Sequence, residues 1–326
     1  MKIAVTGATG HVGACLVPRL LEHGHTVRAV VLGDASVLDG LEVEQVPGDV
    51  RDLQAMRTAL VDQEVVIHLA AHISVEVKDE PLMQAVNVGG VKNTAAAALE
   101  AGVRRFIHVS SVHAYDTWRL NGPLTEDHAK ADRPQLPAYD RSEAAGERAL
   151  QAAIAQGLDA VILNPVGILG PNDHRPSLMG SVLQQMLRGR MPVVPDGCFC
   201  WVDVRDVVDA ILAAFDRAET GQNYLLSSER LTAQDFHRLV ARTQGRTSRA
   251  VRAPLPLLRA VSRASPMLAR FSPAMKGFTA DSLHALDARL TVDSRKARRV
   301  LGFEPRPMVS SVQESIAWWQ AQQVVP

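Results

Sequence analysis

Short apolar runs alternate with longer stretches of helical periodicity along the first half of the chain. Residues 2–5 form an apolar run with a β-branched bias, which predicts a buried strand. Apolar residues then recur with helical spacing over 14–21, which predicts a helix. This alternation predicts right-handed βαβ units and a parallel sheet covered by helices on both faces. Further strands are predicted at 25–31, 43–46, 65–71, 105–111 and 160–163, and further helices at 52–61, 81–101 and 138–147.

Three glycines separate the first predicted strand from the first predicted helix. Gly7 permits a tight turn, Gly10 lets the backbone approach a pyrophosphate, and Gly13 lets the helix pack close to the strand. The N–H groups and the dipole at the start of the helix attract phosphates. The stretch therefore predicts a dinucleotide site, and a glycine-rich turn without a ligand is the alternative.

The spacing Gly-x-x-Gly-x-x-Gly, preceded by Thr6, resembles the extended short-chain dehydrogenase/reductase superfamily. That superfamily includes NAD-dependent epimerases and dehydratases, dihydroflavonol reductases and hydroxysteroid dehydrogenases. The resemblance covers nearly the whole chain and implies an α/β fold, a Rossmann-type doubly wound parallel sheet with a smaller C-terminal α/β substrate-binding region. The dinucleotide-binding domain is expected over 1–165, rejoined by about 200–219, and the substrate-binding region over 166–326.

The resemblance also implies cofactor contacts at the ends of the strands. Asp49 matches an acidic contact to the adenine, and Leu69 lies in the segment that passes the ribose. Leu32 stands where reductase-like relatives often carry an Arg for the 2′-phosphate, so NAD is slightly favoured and NADP stays open. The expected cofactor-binding residues are Gly7, Thr9, Gly10, His11, Val12, Gly13, Leu32, Asp49, Val50, Leu69, Ala70, Ala71, Tyr139, Glu143, Pro165 and Ile168.

The most informative departure from the family lies in the helix that begins near residue 138. Tyr139 matches the family's Tyr-x-x-x-Lys motif, but Glu143 occupies the lysine position. Residues four apart share a helix face, so both side chains are expected to face one cleft. A carboxylate beside the phenol raises the pKa of Tyr139, which permits carbonyl reduction and penalises alcohol oxidation. Glu143 can still accept hydrogen bonds from the ribose hydroxyls of the cofactor.

Other candidates for the chemistry follow the predicted strands. Ser111 matches the family's catalytic Ser or Thr, with Ser110 as the alternative. His113 is a candidate to stand in for the missing lysine, although a polar residue lining the pocket is the simpler interpretation. The expected catalytic residues are Ser111, Tyr139 and Glu143, and the expected substrate contacts are His113, Asn164 and Met179.

Composition narrows the function classes. Lys and Arg total 35, as do Asp and Glu, so no net charge attracts nucleic acid or an anionic membrane. Three cysteines favour a reducing compartment, and no metal site is expected. No apolar run is long enough to span a bilayer, and the first residues do not resemble a signal peptide, so a cytoplasmic location is expected. The expected partner is a small molecule, and a homodimer is left open.

Three functions remain open at this point. The first is NAD(P)H-dependent reduction of a small hydrophobic carbonyl compound, with Tyr139 as proton donor; the apolar stretch at 179–191 favours it. The second is a nucleotide-sugar epimerase or dehydratase, which needs cations for a diphosphate. The third is a cofactor-binding protein that has lost catalysis through Glu143. Cations for the second are available at Arg175, Arg188 and Arg190, and the segment 254–271 predicts a helix pair or a lid.

Overall fold

The computed structural model describes residues 1–258 and 290–324. The strands, in chain order, are β1 (Lys2–Thr6), β2 (Thr26–Val31), β3 (Glu44–Pro47), β4 (Val65–His68), β5 (Arg105–Val109), β6 (Ala160–Pro165), β7 (Gly167–Leu169), β8 (Val193–Pro195), β9 (Cys198–Asp203), β10 (Asn223–Leu226), β11 (Glu229–Thr232) and β12 (Val251–Ala253). The helices are α1 (His11–Glu22), α2 (Leu53–Leu60), α3 (Glu80–Met83), α4 (Val91–Ala101), α5 (Ala138–Ile154), α6 (Leu178–Leu187), α7 (Val204–Ala214), α8 (Ala233–Thr243), α9 (Arg295–Leu301) and α10 (Met308–Ala321).

The large sheet has seven parallel strands in the order β10-β6-β5-β4-β1-β2-β3. One apolar layer packs α1, α7 and α9 against one face, and a second layer packs α2, α4 and α5 against the other. Residues of the central strands are fully buried because both faces are covered, which is why they form continuous apolar runs. The predicted doubly wound sheet is confirmed.

The strand order reverses direction between β1 and β4. The chain first winds outward through β2 and β3, and then returns to add β4, β5 and β6 on the other side of β1. A doubly wound sheet opens a crevice at this switch point, beyond the carboxyl ends of the strands. The glycine turn of residues 7–13 lies at this crevice.

A smaller region covers the crevice. It contains a three-stranded sheet in the order β11-β9-β7, the parallel pair β8 and β12, and the helices α6, α8 and α10 around a core that includes Trp201 and Trp319. The chain returns to the large sheet through α7, which packs on α1, and through β10, which lies beyond the expected 200–219 return. The boundary at residue 165 stays a prediction. Most of the segment 254–271 lies outside the described residues.

The helix predicted over 81–101 is not uniform. It consists of α3, a π-helical stretch at Gln84–Gly90, and α4. Within the wider turn, the Asn87 amide oxygen accepts a hydrogen bond from the His72 backbone N–H at 2.8 Å, and Nδ2 donates to Ser142 Oγ at 3.0 Å. The Ser142 hydroxyl in turn donates to the Tyr139 carbonyl at 2.7 Å. Asn87 thus ties the loop after β4 to the start of α5, in keeping with the frequent use of π-helical turns at functional sites.

Two absences hold for the described part of the chain. No helix in residues 1–258 and 290–324 is both long and apolar enough to cross a membrane. The same residues contain no group of three or more His, Cys, Asp and Glu side chains placed to hold a metal ion.

Candidate active site

A cleft with a free volume of about 480 Å³ lies at the carboxyl ends of β1, β4, β5 and β6. Its opposite wall comes from the smaller region and includes Leu178, Phe199 and Leu290. Most of the residues predicted as site residues meet here. Those that line the cleft are Gly7, Gly10, His11, Val12, Gly13, Leu69, Ala71, Ser111, His113, Tyr139, Glu143, Pro165, Ile168 and Met179.

The three glycines of the turn have different structural roles. Gly7 has a φ of +69°, and an added Cβ would lie 2.7 Å from the Leu69 carbonyl carbon. At Gly13 an added Cβ would lie 2.4 Å from the Ala8 carbonyl oxygen. At Gly10 the nearest atom, the Gly7 carbonyl oxygen, would be 3.4 Å away. Gly7 and Gly13 are therefore required by backbone packing, whereas the bare surface of Gly10 faces open space.

The start of α1 is open to the cleft. Gly10 is its N-cap residue and makes no side-chain capping bond, since it has no side chain. His11 and Val12, in the first turn of α1, line the cleft. The first N–H groups of a helix have no partners within the helix, and here they lie beside a cavity large enough for a phosphate group.

Five expected cofactor contacts do not line the cleft, and the structure gives a reason for several of them. Leu32 is 65% exposed beyond β2. The Asp49 carboxylate accepts two hydrogen bonds from Arg51 Nε, at 2.9 and 3.0 Å, and this pairing lowers its pKa. Val50 is buried, where it contacts Gly90. The residues outside the lining are Thr9, Leu32, Asp49, Val50 and Ala70.

Asn164 corrects an expectation from the sequence. Its side chain is fully buried behind the cleft and does not line it. Nδ2 donates to Glu147 Oε1 at 2.6 Å and to the Ser111 carbonyl at 2.9 Å. Asn164 therefore lies behind the wall of the cleft, held there by its bonds to Glu147 and to the Ser111 carbonyl, and does not reach the lining where a substrate contact is expected.

Tyr139 lies in the wall of the cleft, where its phenol is close to the Ser111 hydroxyl and to the Glu143 carboxyl. Burial is the largest cause that raises its pKa well above the ordinary value, and the charge of Glu143 is the next. Tyr139 is thus a neutral phenol over the whole physiological pH range. The sequence indicated the effect of Glu143, but the larger contribution of burial depends on the tertiary structure.

Glu143 is buried, at 5% exposure, one turn along α5 from Tyr139. Burial raises its pKa to about 8, and the neighbouring Glu147 contributes in the same direction. The sequence analysis treated Glu143 as a carboxylate, whereas the fold makes it mostly a neutral carboxylic acid at pH 7. A neutral Glu143 keeps the ability to accept hydrogen bonds and gains one proton to donate.

His113 and Asp140 form an ion pair beside Tyr139. His113 Nδ1 lies 3.0 Å from Asp140 Oδ1, and the imidazole and phenol rings are 5.5 Å apart at their centroids. Burial opposes the charged form of His113, but the Asp140 carboxylate outweighs it and raises the pKa of the imidazole. His113 therefore lines the cleft next to the phenol and carries positive charge more readily than a free histidine.

Sequence reasoning missed two residues behind this wall. Glu147 is 2% exposed and lies two turns from Tyr139 on the same face of α5, a spacing that could have identified it. Its Oε2 atom is 2.5 Å from Lys130 Nζ. Lys130 belongs to the loop before α5 and is brought in by tertiary packing, so no local pattern marks it.

The parallel doubly wound sheet, with a glycine turn and an open helix N-terminus at its switch point, defines a Rossmann-type dinucleotide-binding protein. Residues 3–226 match the profile of the NAD dependent epimerase/dehydratase family, and the chain belongs to that family. The resemblance to extended short-chain dehydrogenases/reductases is thereby confirmed. Members of this family are NAD(P)-dependent oxidoreductases and epimerases.

Similar proteins extend over the whole chain. Sterol demethylase protein B of Methylococcus capsulatus is 34% identical over 324 residues, which is 98% of each chain. The UDP-glucose 4-epimerase of Mycolicibacterium smegmatis is 31% identical over 94% of each chain. The crystal structure of gox2253 superposes with a TM-score of 0.86 at 30% identity and covers 100% of this chain and 99% of that one. The names of the first two relatives describe different reactions.

Proposed function

We propose that the protein is an NAD(P)H-dependent reductase of a small hydrophobic carbonyl compound, with Tyr139 as the proton donor. The observation that carries the proposal is that the Ser111 and Tyr139 hydroxyl groups lie close together in the wall of an apolar cleft beside the glycine turn. Such a pair offers two hydroxyl groups to one substrate oxygen.

The residues of the cleft fit a dinucleotide. The Gly10 backbone faces open space and the first turn of α1 lines the cleft, as a pyrophosphate requires. Glu143 supplies an acceptor for ribose hydroxyls in place of the family lysine. Bound NAD(P)H supplies the hydride that the carbonyl carbon receives.

We favour NAD over NADP because an acidic residue, Asp34, follows β2. The Asp34 carboxylate accepts a hydrogen bond from Arg175 Nη2 at 2.7 Å, so the charge of this arginine is already paired. An acidic group at this position suits the ribose 2′-hydroxyl and repels a 2′-phosphate. Comparison of the dissociation constants of NADH and NADPH tests this choice.

The wall that the smaller region contributes to the cleft favours a hydrophobic substrate. Leu178, Met179 and Phe199 form the wall of the smaller region. Of the three arginines considered for a sugar diphosphate, Arg175 pairs with Asp34, and Arg188 donates to the Val324 carbonyl at 3.0 Å. Neither Arg188 nor Arg190 is among the described residues that line the cleft. The relative named for sterol demethylation points to the same apolar class, and a ring ketone of sterol type is the first compound to test.

The proposed chemistry assigns one task to each side chain. Ser111 donates a hydrogen bond to the substrate carbonyl oxygen and fixes its position. Tyr139 transfers its phenolic proton to that oxygen as the carbonyl carbon is reduced. The raised pKa keeps Tyr139 protonated before the reaction and makes the reverse direction, which needs a phenolate, unfavourable.

A panel experiment tests the proposal. NADH or NADPH is mixed with steroid ketones, flavonoid ketones and alkyl aldehydes, and loss of the reduced cofactor is followed in a single turnover. Binding of UDP-glucose and dTDP-glucose is measured by thermal shift in parallel. Oxidation of the cofactor by a hydrophobic ketone supports the proposal. A thermal shift with the nucleotide sugars and no reaction with any carbonyl compound favours the epimerase function instead.

A further inference from the structure

A row of polar side chains runs along one face of α5, from Tyr139 in the wall of the cleft to Lys130 in the loop before the helix. The Tyr139 phenol lies beside the Glu143 carboxyl, one turn along α5. Ser110 Oγ lies 3.3 Å from Glu143 Oε2 and 2.7 Å from Glu147 Oε1. Glu147 Oε2 lies 2.5 Å from Lys130 Nζ. Every gap between Glu143 and Lys130 is therefore within hydrogen-bond distance, and Tyr139 lies beside Glu143 at the start of the row.

The number of protons on these groups determines which of them donates each hydrogen bond in the row. The Ser110 hydroxyl has one proton and faces two carboxyl groups, so it can donate to only one of them. The shorter contact and the ion pair with Lys130 identify Glu147 as the charged acceptor. Glu143 must then carry a proton and donate it to Ser110, which agrees with its burial and its raised pKa of about 8. In the resting row all donors therefore point toward Glu147, with Lys130 on one side and Ser110 and Glu143 on the other.

Lys130 is the end of the row that lies nearest to solvent, although its ammonium nitrogen is itself buried. Its side chain is 25% exposed, whereas that of Glu147 is 3% exposed. The ammonium group lies 3.5 Å from the centroid of the Tyr115 ring, which holds it in place from the other side. Lys130 is not among the described residues that line the cleft, so it reaches Tyr139 only through the row.

We propose that Glu143, Ser110 and Glu147 form a proton relay that restores the proton of Tyr139 from Lys130. The inference rests on the proposed function, because the relay serves a reduction in which Tyr139 gives up its proton. Ser110, Glu147 and Lys130 act through Glu143 and are positioning residues. A lysine from a loop thus replaces the lysine that the family carries on α5 at the position of Glu143.

The proton balance of the relay closes. After Tyr139 has protonated the substrate oxygen, the Glu143 O–H bond breaks and the Tyr139 O–H bond forms again. Glu147 takes a proton from the Lys130 ammonium at Oε2, and its carboxyl group rotates to present that proton to Ser110. The Ser110 hydroxyl turns toward Glu143, gives it a proton and receives the one from Glu147. The Lys130 side chain, whose nitrogen is buried in the resting structure, then turns outward, and the amine takes a proton from water. One solvent proton is consumed for each hydride transferred, as carbonyl reduction requires.

Burial brings the relay groups closer together in acidity. Glu143 faces Tyr139, Asp140 and Glu147 from its own helix, and His113 from the loop after β5. Burial lowers the pKa of Lys130, against the opposing effects of Glu147 and then Glu126. A buried acid of raised pKa and a buried ammonium of lowered pKa exchange protons more readily than the free groups would.

An infrared titration of the protein without cofactor tests the row itself. We expect a carboxylic acid band that is lost with a midpoint near the pKa of about 8 of Glu143 and is absent from Glu143→Gln. In Lys130→Met, Glu147 loses its cation, so the two glutamates hold a proton more tightly and the band should persist to higher pH. Lys92→Met, a change of an exposed lysine on α4, is the control and should leave the titration unmoved. A midpoint that Lys130→Met does not move would overturn the relay.

Turnover experiments then test proton delivery. The first turnover of Lys130→Met should match that of wild type, because Tyr139 starts with its proton, whereas later turnovers should slow by about tenfold or more. A small amine such as methylamine should restore the later turnovers, and the solvent deuterium isotope effect on them should rise. Later turnovers that keep the wild-type rate, or that slow only in His113→Asn, would overturn the proposal.

A second variant separates the loss of proton delivery from a loss of folding stability. Lys130→Met leaves the Glu147 carboxylate buried without its cation, which costs stability. Lys130→Met/Glu147→Gln removes both charges and should melt nearer to wild type, yet its slow later turnovers should not respond to methylamine. Rescue of this double variant by the amine would contradict the relay. If wild type reduces no carbonyl compound, the proposed function fails, while the infrared titration still decides on the row.

Discussion

The Tyr139 phenol and the Glu143 carboxyl lie close together, one helical turn apart on α5, and the charge of Glu143 helps to raise the pKa of Tyr139. The family pattern places a cation at the second position, which stabilises a phenolate. Here the second group is an acid whose pKa burial raises to about 8, so both groups are neutral at pH 7. A neutral phenol in this arrangement can donate its proton in carbonyl reduction. Alcohol oxidation needs a phenolate, which the arrangement disfavours.

Glu143 makes the stability of the protein depend on pH. Its pKa is about 8 in the folded state and near its ordinary value of 4.5 in the unfolded state. Between these values the folded state binds the extra proton, so stability falls as pH rises from about 4.5 to about 8. Glu143→Gln should remove this loss and stabilise the protein at pH 8 by roughly 2–4 kcal/mol relative to its effect at pH 5. Urea unfolding at the two pH values measures it, and equal effects of the substitution at both would contradict a protonated Glu143.

Glu143→Lys should change the direction in which the enzyme works. A lysine at this position would favour the phenolate of Tyr139, so oxidation of an alcohol should begin at a lower pH than in wild type. The pH profile of alcohol oxidation provides the measurement. Glu100→Lys, on the exposed end of α4, is a matched change of charge outside the cleft and should leave the profile in place. A profile that Glu143→Lys leaves unmoved would assign proton transfer to another group, with His113 the next residue to test.

Gly10 and Gly7 should respond differently to substitution. In Gly10→Ala the new Cβ meets only the Gly7 carbonyl oxygen at 3.4 Å, so the protein should fold and lose cofactor affinity. In Gly7→Ala the residue is held at a φ of +69° against the end of β4, and the free energy of unfolding should fall by about 1–3 kcal/mol or more. Thermal melting and quenching of tryptophan fluorescence by NADH separate the two effects. Gly89→Ala has room for its Cβ and serves as the control; unchanged affinity in Gly10→Ala would mean that the turn binds no pyrophosphate.

Asp34 should determine the choice between NADH and NADPH. Asp34→Ala removes the carboxylate that engages Arg175 and leaves the guanidinium able to pair with a 2′-phosphate. The ratio of NADPH to NADH affinity should rise by about tenfold. Equilibrium titrations with both nucleotides measure it. Asp39→Ala, in the same connection but without a bond to Arg175, is the control, and an equal ratio in both variants would place the ribose elsewhere.

The sequence predicted those features that are local in the chain. The apolar runs predicted the strands of the large sheet. A strand that is covered on both faces carries apolar side chains on both, so polar and apolar residues do not alternate along it. The glycine spacing located the turn, and the i, i+4 relation placed Tyr139 and Glu143 on one face. Fold class and family followed from these patterns.

Other features depend on packing between distant segments and could not be predicted. Lys130 reaches Glu147 across a loop, and Asn164 is directed inward by bonds to Glu147 and to the Ser111 carbonyl. The neutral state of Glu143 follows from the depth of its burial, which the sequence does not specify. The π-helical turn at Gln84–Gly90 interrupts a segment whose periodicity predicts a continuous helix.

The most direct measurement of the central claim is single-turnover hydride transfer by wild type, Tyr139→Phe and Tyr224→Phe. Each protein is mixed with a steroid ketone and with NADH deuterated at the transferred position. The rate at which deuterium appears in the alcohol product is then measured. Wild type and Tyr224→Phe, whose hydroxyl lies away from the cleft and accepts from the Glu219 N–H, should both label the product. Tyr139→Phe should label it at least about 10²-fold more slowly. Equal labelling by Tyr139→Phe and wild type would contradict the account.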